Sequence, residues 1–137
     1  MDNKFEAHGS LQLKLDGQIL QVEGTGPWNL ESLQQTGESA SGLIERLADK
    51  PWAVIVILHG ECIYVPAAMQ YLIDVVAQEK QIGRIATAIL VDDCDLPMFA
   101  ESHLSEIYRS AGETFRFFHD VTEAKQWLLE QLSDGQS

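Results

Sequence analysis

Trp52-Ala53-Val54-Ile55-Val56-Ile57-Leu58 is an unbroken apolar run dominated by β-branched side chains. A strand buried on one face alternates apolar with polar residues, whereas a strand buried on both faces does not. The run therefore demands a central strand with packed layers on either side. Ile85 to Val91 repeats the demand. Between the two runs a helical stretch starts at Pro66, whose fixed φ suits a first helical turn, and stops near Gly83. Two such strands joined through a helix pair in parallel.

The flanking segments extend the same plan. Leu11, Leu13 and Leu15 alternate with Gln12 and Lys14, and Asp16-Gly17 signals a tight hairpin with a return strand from Ile19 to Glu23. Gly24-Thr25-Gly26-Pro27 breaks the pattern as a turn into a helix. Leu30, Leu33, Gly37, Ala40, Ile44 and Leu47 then recur at helical spacing behind Asn29 as N-cap. Gly37 and Ala40 are expected to bring that face close to the sheet. A third helix opens at Leu96-Pro97, capped by Asp95, with Phe99, His103, Leu104, Ile107 and Ala111 on its inner side. Thr114 to Phe118 is a short strand, and Asp120-Val121-Thr122-Glu123 has the form of a capping box opening a last helix. Its inner face is expected at Val121, Ala124, Trp127 or Leu128, and Gln131 or Leu132. Only Ser133 to Ser137 has the composition of a frayed tail. The order ββαβαβαβα predicts an α/β fold with a mixed, mostly parallel five-stranded sheet and about four helices, in a single domain over residues 1–137.

Charge narrows the partners. Asp and Glu number 21 against 9 Lys and Arg, a formal net charge of −12, which repels nucleic acid and anionic lipid surfaces. Met1 to Glu6 lacks the apolar core of a signal peptide, and no run approaches the ~20 apolar residues of a membrane span. The expectation is a cytoplasmic protein with no integral membrane segment, no nucleic-acid partner and no cofactor. Cys62 and Cys94 form no close pair along the chain, so two reduced thiols are expected, with a disulfide left open.

The hairpin, the long entry into the first helix and the strand–loop–helix from Trp52 to Ala77 resemble the SpoIIAA-like group, the STAS or anti-sigma-factor-antagonist fold. So does the closing Phe118-His119-Asp120-Val121-Thr122-Glu123-Ala124 with Trp127-Leu128, and the resemblance runs from Leu11 to about Leu132. It implies a non-enzymatic regulatory or interaction module acting on a protein partner or on a second copy of itself. Phosphorylated members carry an Asp-Ser or Asp-Thr pair just before the second helix. The matching positions here are Val65 and Pro66, and no serine or threonine lies between Trp52 and Arg84. Switching by the usual serine phosphorylation is therefore not expected. By loose analogy with STAS/Sec14-type domains, the resemblance implies a small apolar or lipid-like ligand as the alternative.

His59-Gly60-Glu61-Cys62-Ile63-Tyr64-Val65 joins the central strand to the second helix, at a carboxyl end where open α/β sheets bind ligands and partners. Ile63, Tyr64 and Val65 either tuck beneath the helix or join Trp28, Glu61, Ala67, Ala68 and Tyr71 in a contact surface. The second helix carries one polar stripe, Gln70, Asp74, Gln78 and Gln81, and its broad apolar remainder is either well buried or covers a partner.

A metal-dependent enzyme is a further alternative. His59, Asp92 and His119 follow different strands, and imidazole with carboxylate suits a divalent cation. No HxH, HExxH or CxxC spacing supports it, and N-caps or turns account for Asp93, Asp95 and Asp120. Cys62 near a histidine has the residue types of a thiol nucleophile, yet the surrounding carboxylates raise a thiol pKa. His103 is expected as a satisfied, partly buried histidine.

Overall fold

The protein is described here by a computed structural model covering residues 10–62 and 64–136. Ile63 and Met1–Glu6 lie outside the described residues. Strands β1 (Ser10–Asp16) and β2 (Ile19–Thr25) form the opening hairpin. There follow α1 (Leu30–Leu47), β3 (Trp52–Gly60), α2 (Pro66–Lys80), β4 (Arg84–Cys94), α3 (Pro97–Ser110), β5 (Phe115–Phe117) and α4 (Val121–Gln136). The five-stranded sheet has the order β1-β2-β3-β4-β5, with β1 antiparallel to β2 and the remaining pairings parallel. The fold class and element order match those expected.

Parallel crossovers keep one hand, and strands added in a single direction therefore place their connecting helices on one face. Accordingly α1, α2 and α3 pack on one side, against Leu20, Val54, Val56, Leu58, Ile89 and Val91. α4 follows the last strand and returns over the other side, where Ala124, Leu128 and Leu132 meet Ile19, Ala53, Ile55, Ala86, Ala88 and Leu90. The two sets alternate along each strand, as the pleat requires. Alanines at positions 53, 86 and 88 let the single helix lie close. Each large side chain removed from water in these layers contributes roughly 1.5–3 kcal/mol.

The caps at Asn29 and Asp120 are as expected, while Gly37, the end of β4, the start of α3 and the end of α4 differ from the sequence expectation. α1 opens with a reciprocal box: Ser32 N–H donates to Asn29 Oδ1 at 2.9 Å, and Asn29 N–H donates to Ser32 Oγ at 3.1 Å. Gly37 faces α2 rather than the sheet, since a Cβ there would lie 2.9 Å from the Tyr71 hydroxyl. β4 runs through Asp92 and Asp93 to Cys94 because β3 accompanies it to Gly60. The cap of α3 is consequently Leu96, without a side-chain hydrogen bond, and not Asp95. The buried face of α3 is Ala100, Leu104, Ile107 and Tyr108, while Phe99 is half exposed. Asp120 does open α4, accepting from Glu123 N–H at 2.9 Å. α4 continues to Gln136, so the stretch expected to fray is helical. Among the described residues, no helix is long and apolar enough to cross a membrane.

Candidate functional site

Because β2 to β5 run parallel, their carboxyl ends share one rim. Three connections are knitted together there. Gly26 N–H donates to His59 O at 3.1 Å, and Asp95 N–H donates to Gly60 O at 2.8 Å. The approach leaves no room for side chains: a Cβ on Gly26 would coincide with the Glu61 carbonyl. Gly60 has φ +72°, a conformation that only glycine adopts readily, and it folds the chain back across the end of β4.

This knot turns the β3–α2 loop inward. Trp28 and Tyr64 form a parallel bridge, and their rings stack at 6.3 Å. Tyr64 N–H reaches His103 Nε2 at 3.4 Å, and the ring series continues through His103 to Phe99 at 5.7 Å. Trp28, Tyr64 and Ala68 are all buried, so they are core residues and do not line a contact surface. Burial pushes the Tyr64 phenol far above its ordinary pKa. The Trp28 indole N–H has no hydrogen-bond partner among the described residues. Of the other residues expected at the surface, Glu61, Val65 and Ala67 are exposed and Tyr71 is half-buried, while Ile63 is outside the described residues. His103 is the partly buried, engaged histidine expected.

The histidines and carboxylates form separate pairs. His59 contacts Glu23 through Nε2 at 2.8 Å and Asp93 through Nδ1 at 2.6 Å. Both nitrogens can donate only in the imidazolium form, and Glu23, then Asp93, holds the His59 pKa above its ordinary value. His119 instead contacts Asp92 through Nδ1 at 2.8 Å, which raises its pKa as well. His59, Asp92 and His119 are thus not gathered around one centre. No group of three or more His, Cys, Asp or Glu able to hold a metal ion occurs among the described residues.

The expectation of two free thiols is overturned. Cys62 and Cys94 are joined in a disulfide, with a Cα–Cα separation of 6.1 Å. The cause is register: parallel pairing sets Gly60 opposite Cys94, and the turn at Gly60 returns Cys62 to the same place. The bond clasps the β3–α2 and β4–α3 connections together.

Around this clasp stand Val65, a contact candidate in the sequence, and three residues that sequence reasoning missed: Leu96, Met98 and Phe99. Val65 is 45% exposed, Leu96 63%, Met98 87% and Phe99 50%. They occupy the first turns of α2 and α3, both of which start without a side-chain cap. Leu96 and Phe99 also line a small cleft of about 20 Å³ together with Cys62. Exposed carboxylates fringe the patch: Glu61, Asp92, Asp93, Asp95 and Glu101. A signal was present in Leu96-Pro97-Met98-Phe99, since four consecutive apolar residues entering a helix cannot all face inward.

No protein-family model matches this chain, and no curated protein matches it. Among solved structures, the chain is similar to an uncharacterised protein of the DUF3478 family with a SpoIIAA-like fold, from Shewanella loihica PV-4. The TM-score is 0.54 and the identity 15%, over 88% of this chain and 94% of that one. At that identity the likeness concerns architecture. The chain has a SpoIIAA-like fold.

Proposed function

We propose that this protein is a non-enzymatic, cytoplasmic interaction module that docks a basic amphipathic segment of a partner protein on the rim formed by the starts of α2 and α3. The observation that carries the reading is the cluster of Val65, Leu96, Met98 and Phe99 held in water beside the clasp. A large apolar side chain left exposed gains by being covered, and an apolar patch with a polar fringe is the form of a contact site. The fringe is mainly acidic, with Glu61, Asp95 and Glu101 beside Asp93 and Asp92, which pair with His59 and His119, so the complementary surface pairs apolar anchors with lysine or arginine. Val65 and Pro66 occupy the place of the phosphoacceptor pair in the resembling family, which makes the contact constitutive.

The apolar-ligand reading has less support. The space between the loop and α1 is filled by the Trp28 and Tyr64 rings. The open groove between α1 and α2, about 940 Å³, has Ile44, Tyr71, Val75 and Ile82 in its lining but is open to solvent and also lined by Glu38, Glu45 and Glu79.

The reading is tested with a synthetic leucine–lysine amphipathic helix as probe, followed by fluorescence anisotropy. Wild type binds it, and Met98→Asp or Phe99→Asp weakens binding at least about tenfold, the scale of a lost apolar anchor. A leucine–glutamate peptide does not bind. Equal binding by the variants sinks the assignment of this rim. Sedimentation showing a dimer of the protein alone that Met98→Asp dissociates replaces the basic partner with a second copy.

A further inference from the structure

We propose that the Cys62–Cys94 disulfide is a thiol–disulfide exchange site that opens and closes in the folded protein, with small neutral dithiols as its reductants. It shares Leu96 and Phe99 with the proposed docking face, and to that extent rests on it.

The fold does not need this bond as a staple. A chain of this length buries roughly two thirds of its unfolded surface through apolar packing alone, and two apolar layers are in place on either side of the sheet. The clasped loops are also held by bonds that do not involve sulfur: Gly26 N–H to His59 O, Asp95 N–H to Gly60 O, and Tyr64 N–H to His103. Breaking the disulfide therefore leaves a folded chain.

The site also accommodates the dithiol. A buried S–H needs an acceptor. Cys62 Sγ lies 3.4 Å from Gly60 O, and Cys94 Sγ lies 3.7 Å from Leu58 O. Each sulfur thus has a carbonyl waiting for the proton that reduction adds.

Both half-cystines are nearly buried, Cys62 at 5% and Cys94 at 6% exposed. Cys62 is the one that shares a cleft with Leu96 and Phe99 among the described residues. A thiolate of the dithiol attacks Cys62 Sγ, forming a mixed disulfide and releasing Cys94 as thiolate, which takes a proton from solvent. The second thiol of the reductant loses its proton and attacks the reductant's own sulfur in that mixed disulfide. Cys62 leaves as thiolate and is protonated in turn. The balance is one protein disulfide plus one dithiol giving two protein thiols plus one oxidised dithiol. Glu61 and Asp95 line the same cleft, so a reductant with net negative charge is repelled. Neutral dithiols are favoured over glutathione.

The experiment uses the full chain, oxidised with oxidised dithiothreitol and then exposed to dithiothreitol or glutathione in native buffer. Samples are alkylated at intervals and weighed by mass spectrometry. Both cysteines become alkylated together, with circular dichroism unchanged and the rate flat across low urea. At matched thiolate concentration, dithiothreitol outruns glutathione. Phe99→Ala, which removes the largest side chain lining the cleft, speeds reduction by roughly fivefold or more, as expected when access limits exchange. Reduction that climbs steeply with urea and ignores Phe99→Ala shows a bond opened only by unfolding and overturns the proposal. So does free alkylation of both cysteines after the oxidising step. The leucine–lysine peptide separates the two readings. If it does not bind while native reduction proceeds as described, the docking face fails and the exchange site stands. If it binds while reduction requires unfolding, the reverse holds.

Discussion

At the amino end of β4, Arg84 is buried between Glu79 at 2.6 Å and Glu113 at 2.8 Å. At the carboxyl end of the same strand, Asp92 and Asp93 stand in solvent and pair with His119 and His59. The buried cluster is fully occupied. Glu113 also accepts from Lys80, from the Thr87 hydroxyl and from Thr114 N–H. Burial pushes the Glu113 carboxyl up, yet Arg84, Lys80 and Thr87 outweigh it and hold it below its ordinary value. Removing charges from water is offset only by complete pairing of this kind. At the rim, pairing is partial and solvated, which is worth little to stability, and apolar side chains are left uncovered. One end of the sheet closes the fold, and the other, where contact and exchange are proposed, leaves apolar side chains in water.

The largest effect expected from breaking this contrast comes from Glu113→Ala. It leaves Glu79 as the counter-charge of buried Arg84, unpairs the Arg84 Nε, and costs up to about 3–5 kcal/mol in urea unfolding; a loss below ~1 kcal/mol would show that the cluster is solvated after all. Next, a Cys62→Ala/Cys94→Ala variant falls below the oxidised protein by roughly 3–4 kcal/mol, as the chain-entropy model gives for a loop of this length. Under full reduction the difference vanishes.

The two ends also respond to pH in opposite senses. Glu113, with its pKa lowered, contributes stability that is present above the ordinary carboxylate value of 4.5 and lost as pH falls through its folded pKa. His59, with its pKa raised, contributes in full below 6.5 and loses its contribution as pH rises through its folded pKa. An NMR titration of His59 that shows a midpoint at or below 6.5 contradicts the paired imidazolium. His59→Gln should flatten the alkaline limb of the stability profile and leave the acid limb in place.

Smaller changes sharpen the comparison. Val65 sits at the N-cap of α2 with extended backbone, φ −67° and ψ 159°, where a capping side chain fits. Val65→Asp should therefore stabilise the protein by roughly 0.5–1 kcal/mol while weakening the leucine–lysine peptide. A rim that gains stability as it loses binding is one kept for contact. Met98→Asp should move the unfolding midpoint least of all, by under about 0.5 kcal/mol, although it removes the most exposed apolar anchor.

Much of the fold was legible because local chemistry and tertiary placement agree. Trp52 to Leu58 is unbroken because helices cover both sides of β3. Asp16-Gly17 turns the hairpin, and Asn29 caps α1. The strand–helix alternation left little choice of topology. The expected site was less legible. Trp28 and Tyr64 look like surface aromatics along the chain, since each stands in a connection. They are core because Gly26 and Gly60 let two connections meet closely enough to stack them. The end of β4 lies beyond Val91 for a related reason: the apolar run stops there and Asp93 reads as a turn residue, but pairing with β3 carries the strand to Cys94.

By itself the sequence determined an acidic α/β domain, its element order, its central strands and the absence of a phosphoacceptor before the second helix. These follow from periodicity, turn chemistry and charge, which act over a few residues. Only the tertiary structure decided that Cys62 meets Cys94, that His59 bridges Glu23 and Asp93, and that Leu96, Met98 and Phe99 stand in water. Those outcomes depend on parallel register and on which loops share a rim. Both bring together residues far apart in the chain, where no local pattern records the meeting.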